Sequence, residues 1–131
     1  MKFYVTGRSS SYPLVQSTFA EIKARGHQVV FEWTDLPMIK PYAKNQTRAA
    51  DYSEQGIQGV VDADVYILFA DREGNGVFTE LGAALASHTI KGSPRIFAIN
   101  QANQDGCMFH YHPAISWKKS LEEIFAEIKP I

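Results

Sequence analysis

The 131-residue sequence has one cysteine, Cys107, so no internal disulfide can form and a reducing, cytoplasmic setting is expected. It also lacks an excess of charge. Thirteen Lys and Arg against 14 Asp and Glu leave a net of −1, which gives no basic footprint for nucleic acid. No apolar run approaches the roughly 20 residues of a membrane span, so no membrane partner is expected. Met1 to Gly7 reads as a strand entering a turn, not as the apolar stretch of a signal peptide. Three nucleotide and hydrolase signatures are missing as well. Without G-x-G-x-x-G, G-x-x-x-x-G-K-[ST] or G-x-S-x-G, a dinucleotide fold of that type, a P-loop and an α/β-hydrolase serine are unsupported. Cys107-x-x-His110-x-His112 sets ligand types close together, but a structural zinc needs four ligands and no second pair is evident, so no metal or other cofactor is expected.

What is present fits one globular domain over residues 1–131: 45% hydrophobic and 21% charged residues, in a chain long enough to bury a core. Lys2–Thr6 is a short β-rich run that stops at Gly7. Ser9, Ser10 and Ser11 are N-cap candidates, Pro13 suits a first helical turn, and Leu14, Val15, Phe19 and Ile22 fall at helical spacing before Gly26. Gln28–Trp33 reads as a second strand and 34–45 as a long loop with Pro37 and Pro41. A weak helix over about 48–61 is interrupted by Gly56 and Gly59. Val65–Phe69, β-branched and aromatic throughout, reads as a central strand buried on both faces. A polar turn over 70–76, a helix over 77–87, a strand over 95–100 and a short strand over 115–117 follow. Ser120 and Glu123 form a capping box for a last helix through Ile128. This alternation predicts an α/β, doubly wound, flavodoxin-like fold: a mostly parallel five-stranded sheet with helices on both faces.

Ligands of such sheets bind beyond the carboxyl ends of the strands, where the strand order reverses. Two loops leave strand ends and run into helices there: Gly7-Arg8-Ser9-Ser10, and Asp71 through Gly74, Asn75 and Gly76. Both present backbone N–H groups suited to an anion. Glu80 breaks the pattern of its helix. It shares the apolar face of Val77, Leu81, Ala84 and Leu85, where a carboxylate must be desolvated, paired or used. The plainer alternative is an acid in the first turn that complements the helix dipole.

Gly76-Val77-Phe78-Thr79-Glu80-Leu81-Gly82-Ala83-Ala84 resembles the G-x-x-x-E-[LFIM]-G-x-A element of nucleoside 2-deoxyribosyltransferases and related nucleotide N-glycosidases. Ala63-Asp64-Val65 resembles that family's entry to its third strand, and Phe3 to Ser9 its opening strand and turn. His27 to Thr34 and Met108 to Pro113 are similar to segments of its short, single-domain members. The resemblance implies double displacement. Glu80 attacks C1′ of a nucleoside or nucleotide as the base leaves, and a second base or water resolves the glycosyl ester. It also implies that Tyr4 orients Glu80, that Gly7-Arg8-Ser9-Ser10 holds a 5′-phosphate, that His110 or His112 lines the sugar pocket, and that the protein is a homodimer or larger homo-oligomer.

The sequence departs from the family at two acids. Gly56 stands where transferases carry an Asp used around the base and the nucleophile, with Glu54 nearby. A second Asp of the family falls near Gly74, with Asp71 close by. A nucleotide-binding module of the same fold without turnover is therefore the second reading. A phosphoribohydrolase of the lysine-decarboxylase-like type ranks last, because its P-G-G-x-G-T signature is absent.

Overall fold

The computed structural model describes residues 1–129. In chain order it runs β1 (Lys2–Thr6), α1 (Tyr12–Ala24), β2 (Gln28–Val29), α2 (Gln46–Asp62), β3 (Val65–Phe69), α3 (Asn75–Lys91), β4 (Arg95–Ile99), β5 (Ile115–Lys118) and α4 (Leu121–Ile128). All five strands are parallel, in the order β2-β1-β3-β4-β5. The chain therefore winds outward from β1 in one direction and from β3 in the other, and the reversal falls between these two strands. This is the expected doubly wound sheet.

Alternation along β1 decides what each face carries. Phe3 and Val5 point to the layer of α1 and α4, packing with Phe19, Ile22, Ile67, Phe97 and Phe125. Tyr4 points to the layer of α2 and α3, with Val60, Tyr66, Leu68, Leu81 and Ala84. Every residue of β3 is buried, as a central strand covered on both faces requires. Asp64 accepts from the Lys2 backbone N–H at 2.8 Å and ties the start of β3 to that of β1.

The structure corrects several expected boundaries. The second strand does not reach Trp33; β2 ends at Val29, and Trp33 opens a 3₁₀ turn over Trp33–Asp35. The Trp33 indole donates to the Val5 carbonyl at 2.8 Å, which holds the chain off the sheet edge just where pairing would continue. The third helix begins at Asn75 and runs to Lys91, so Asn75 and Gly76 are its first residues and not part of the turn. No serine side chain caps α1, and Leu14 is exposed; Val15, Thr18, Phe19 and Ile22 form its buried stripe. Ser120 does cap α4, accepting from the Glu123 N–H at 3.3 Å.

The glycines that weaken the α2 pattern are explained by its packing. A Cβ on Gly59 would lie 3.0 and 3.1 Å from two ring carbons of Tyr4, and one on Gly56 would face the Tyr4 hydroxyl at 3.5 Å. The helix lies directly on the tyrosine ring, and only a residue without a side chain permits that approach. Overpacking of this kind costs about 1–3 kcal/mol, and the better helix propensity of Ala offsets up to about 1 kcal/mol of it. Gly59→Ala is thus expected to lower the urea midpoint of unfolding. An unchanged or raised midpoint would mean that α2 moves off Tyr4 freely.

Candidate active site

Two side chains of β1 and one of α3 meet beside the reversal in strand order. Tyr4 and Thr6 are two residues apart on a strand and share a face; both are fully buried. The Tyr4 hydroxyl donates to Glu80 Oε2, and the Thr6 hydroxyl donates to Glu80 Oε1 at 3.3 Å. Both carboxylate oxygens are thus held from one strand. Among the described residues Glu80 makes no ion pair.

Glu80 is half-buried, and that burial pushes its carboxyl up to about 7, although the bonds from Tyr4 and Thr6 pull the other way. Burial, then the charge of Glu80, hold the Tyr4 phenol far above its ordinary range, so Tyr4 remains a donor at any working pH. Tyr66 pairs with Tyr4 in the β1–β3 register and stacks on it, with ring centroids 6.1 Å apart and planes 13° apart. Burial, then the charge of Glu80, raise its phenol well above the ordinary range, against the pull of the Thr6 hydroxyl beside it. The carboxylate therefore rests on a floor of two protonated phenols and a threonine.

On the α2 side the site is lined by an absence of side chain. A Cβ on Gly56 would sit 3.6 Å from Glu80 Oε2 and 3.9 Å from the ring of Phe31, which is half-buried. Gly56, which the family resemblance sets opposite an acid, lies against Glu80 in the fold. Phe31 also borders an open groove of about 820 Å³ along the outer side of α2, together with Glu54, Gln58 and Asp62. Glu80 does not line that groove, and its lining acids are exposed.

The two expected ligand loops touch one another. Arg8 Nη1 lies 3.4 Å from Glu73 and 3.8 Å from Asp71. Gly74 (φ +125°) is in a backbone conformation that a side chain resists, and a Cβ there would meet Arg8 Cγ at 3.2 Å and Val77 Cγ2 at 3.1 Å. Arg8, Asp71 and Gly74 are thereby brought together. Ser9 and Ser10 lie exposed in a 3₁₀ turn, and Asn75 and Gly76 are exposed at the start of α3, which no side chain caps. Gly7 is buried on the other face, its Cβ position 3.0 Å from Val15 Cγ2.

His110 is fully buried, donating from Nδ1 to the Gln104 carbonyl at 3.0 Å, with Phe78 and Trp117 against its ring. His112 Nδ1 accepts from the Ala114 N–H at 3.0 Å. Among the described residues no three His, Cys, Asp or Glu side chains group to hold a metal ion. No helix among them is long and apolar enough to cross a membrane.

Sequence reasoning missed Thr6, Tyr66 and Phe31. Thr6 was accessible in principle, since alternation puts it on the face of Tyr4. Tyr66 needs the β1–β3 register, and Phe31 lies in a stretch that reads as strand in the sequence but follows the end of β2 at Val29.

Tyr4→Phe tests the arrangement. Loss of a hydrogen bond to a charged group costs about 1.5–3 kcal/mol, so activity near neutral pH should fall about tenfold or more. The carboxyl of Glu80 should titrate at higher pH than in the native protein, as read by carbon NMR of labelled glutamate. An unmoved titration would exclude Tyr4 as a partner of the charged form.

No protein-family profile matches this chain, and no curated protein sequence does. Among solved structures it is similar to the CMP N-glycosidase BcmB of Clostridium botulinum, with a TM-score of 0.61, 10% sequence identity and 98% of each chain covered. At that identity the likeness establishes a shared fold.

Proposed function

We infer that this protein acts on the N-glycosidic bond of a (deoxy)nucleoside or nucleoside 5′-monophosphate, with Glu80 as the nucleophile. One observation carries the reading. A carboxylate at the switch point of the sheet is held by two hydroxyls of one strand, without a cation, and burial drives it up to about 7. A carboxylate serving structure alone is usually exposed or ion-paired, whereas a desolvated one poised near neutrality suits chemistry. In this reading C1′ of the sugar approaches a Glu80 oxygen and the base lies toward Phe31 and Gly56. Attack forms the Glu80–C1′ ester as the C1′–N bond breaks, and water or an acceptor base then releases the sugar. The shared fold with a protein whose name states cleavage of CMP supports this reaction class.

Arg8 and the serines of its turn remain the candidates for a 5′-phosphate. The Arg8 pairs with Asp71 and Glu73 are partly exposed, so each is worth only about 0–1 kcal/mol and yields to a phosphate.

Chromatography of nucleosides and monophosphates incubated with the protein should show free base, and base exchange on adding a second base would identify transfer. Binding without any release of base over long incubation would favour the module without turnover. The pH profile gives an independent check. The nucleophile must be ionised, and the carboxyl stands at about 7, so kcat/KM should rise through neutral pH and level off above it. Below that point it should fall about tenfold per pH unit. A flat profile between about pH 5 and 8 would remove a carboxylate of this kind from the rate-limiting step.

A further inference from the structure

The N-glycosidic reading leaves one proton without a donor. A neutral base departs from C1′ as an anion unless a proton reaches one of its ring nitrogens. Retaining glycosidases deliver that proton from a second carboxyl about 5–5.5 Å from the first. The partners of the Glu80 carboxylate here are the hydroxyls of Tyr4 and Thr6. From the sheet, Tyr4 and Tyr66 face it, and Tyr4 commits its proton to Glu80 itself. From α2 it is faced by Gly56, which offers no group at all. The acids of that helix, Asp51, Glu54 and Asp62, are exposed and line the outer groove. Asp71 and Glu73 flank Arg8 at the rim. Among the described residues the site has one carboxylate, and it cannot be ionised nucleophile and proton donor at once.

We propose that the leaving group is cationic: the substrate is an N-glycoside of a positively charged heterocycle, such as an N-ribosylpyridinium or an N7-alkylated purine nucleoside. This rests on the N-glycosidic reading and narrows its substrate class. A Glu80 oxygen bonds to C1′, the C1′–N bond breaks, and its electron pair cancels the positive charge on the ring. The base leaves neutral and needs no proton. Water then cleaves the glycosyl ester, so the cationic glycoside and water give neutral base, free sugar and one proton released to solvent. The surroundings suit such a ring. A partly buried carboxylate without a counter-cation attracts it, and the half-buried ring of Phe31, 3.9 Å from the Cβ position of Gly56, lies on the same side of Glu80. At the rim the guanidinium of Arg8 stands between two carboxylates, so no unpaired cation opposes entry there.

The test uses the full chain and four purified nucleosides: the N-ribosides of nicotinamide and of unsubstituted pyridine, which carry their positive charge at any pH, with cytidine and guanosine as the neutral pair. Release of base is followed by chromatography at pH 8, each rate divided by the spontaneous rate of the same compound. The cationic pair should show an acceleration about 100-fold greater than the neutral pair, the equivalent of one proton donor. Gly56→Asp should narrow the ratio by speeding guanosine. Calorimetry supplies a readout apart from turnover. N-ribosylnicotinamide should bind more tightly than its neutral reduced form, and Glu80→Gln should erase the difference. Equal or greater acceleration of the neutral nucleosides would overturn the cationic leaving group and leave the N-glycosidic reading intact. No release from any of the four, with equal binding of the charged and reduced forms, would overturn both.

Discussion

Glu80→Gln is expected to abolish release of base while leaving the fold in place. The amide matches the carboxyl in size and still accepts from the Tyr4 hydroxyl, so the packing of α3 on β1 is preserved. It cannot form the glycosyl ester. Removing a nucleophile that acts in concert with its partners costs on the order of 10³-fold or more in rate. The measurement is single-turnover base release, native against variant, with circular dichroism to verify that both are folded. Mass spectrometry of the native protein quenched during turnover should find the added sugar on a peptide that contains Glu80. If the variant released base at the native rate, Glu80 would be a structural acid and the site would lie elsewhere.

The same substitution is expected to stabilise the protein at alkaline pH. In the unfolded chain a Glu titrates near 4.5, whereas in the fold Glu80 is raised to about 7. Between these values the unfolded state has released the proton and the folded state retains it. Folding is therefore progressively disfavoured as pH climbs through this window, and the full penalty applies above it. The interval corresponds to roughly 3 kcal/mol. Below pH 4.5 both states are protonated and the penalty vanishes. Glu80→Gln carries no charge at any pH. Its melting temperature should exceed the native one by several degrees at pH 8, with the gap closing toward pH 4. A variant less stable at pH 8 would mean that the carboxylate is not desolvated. Gained stability with lost turnover is the pattern of a residue retained for chemistry at the expense of the fold.

How far the sequence leads can be followed along β1. Alternation from Phe3 to Thr6 tells which residues share a face, and the unbroken apolar run of β3 tells that it lies at the centre of the sheet. The helical spacing around Glu80 places a carboxylate on a buried stripe. None of these patterns brings Tyr4 to Glu80, since 76 residues separate them along the chain. Their contact exists because β1 and β3 lie side by side in parallel and α3 returns across them. The glycines of α2 show the opposite case: by propensity they weaken the helix, and by packing they are what lets it lie on the Tyr4 ring.

Local periodicity, read from the chain alone, determined the elements, the doubly wound sheet and the suspicion that falls on Glu80. Those signals depend on neighbours a few residues apart. Tertiary structure alone decided that two hydroxyls from β1 hold that carboxylate, that Tyr66 lies under Tyr4, that Arg8 is flanked by two acids and that α2 meets Glu80 with a glycine. Each of these is a meeting of segments distant in sequence, and the low dielectric that raises the Glu80 carboxyl exists only once the helices have closed over the sheet.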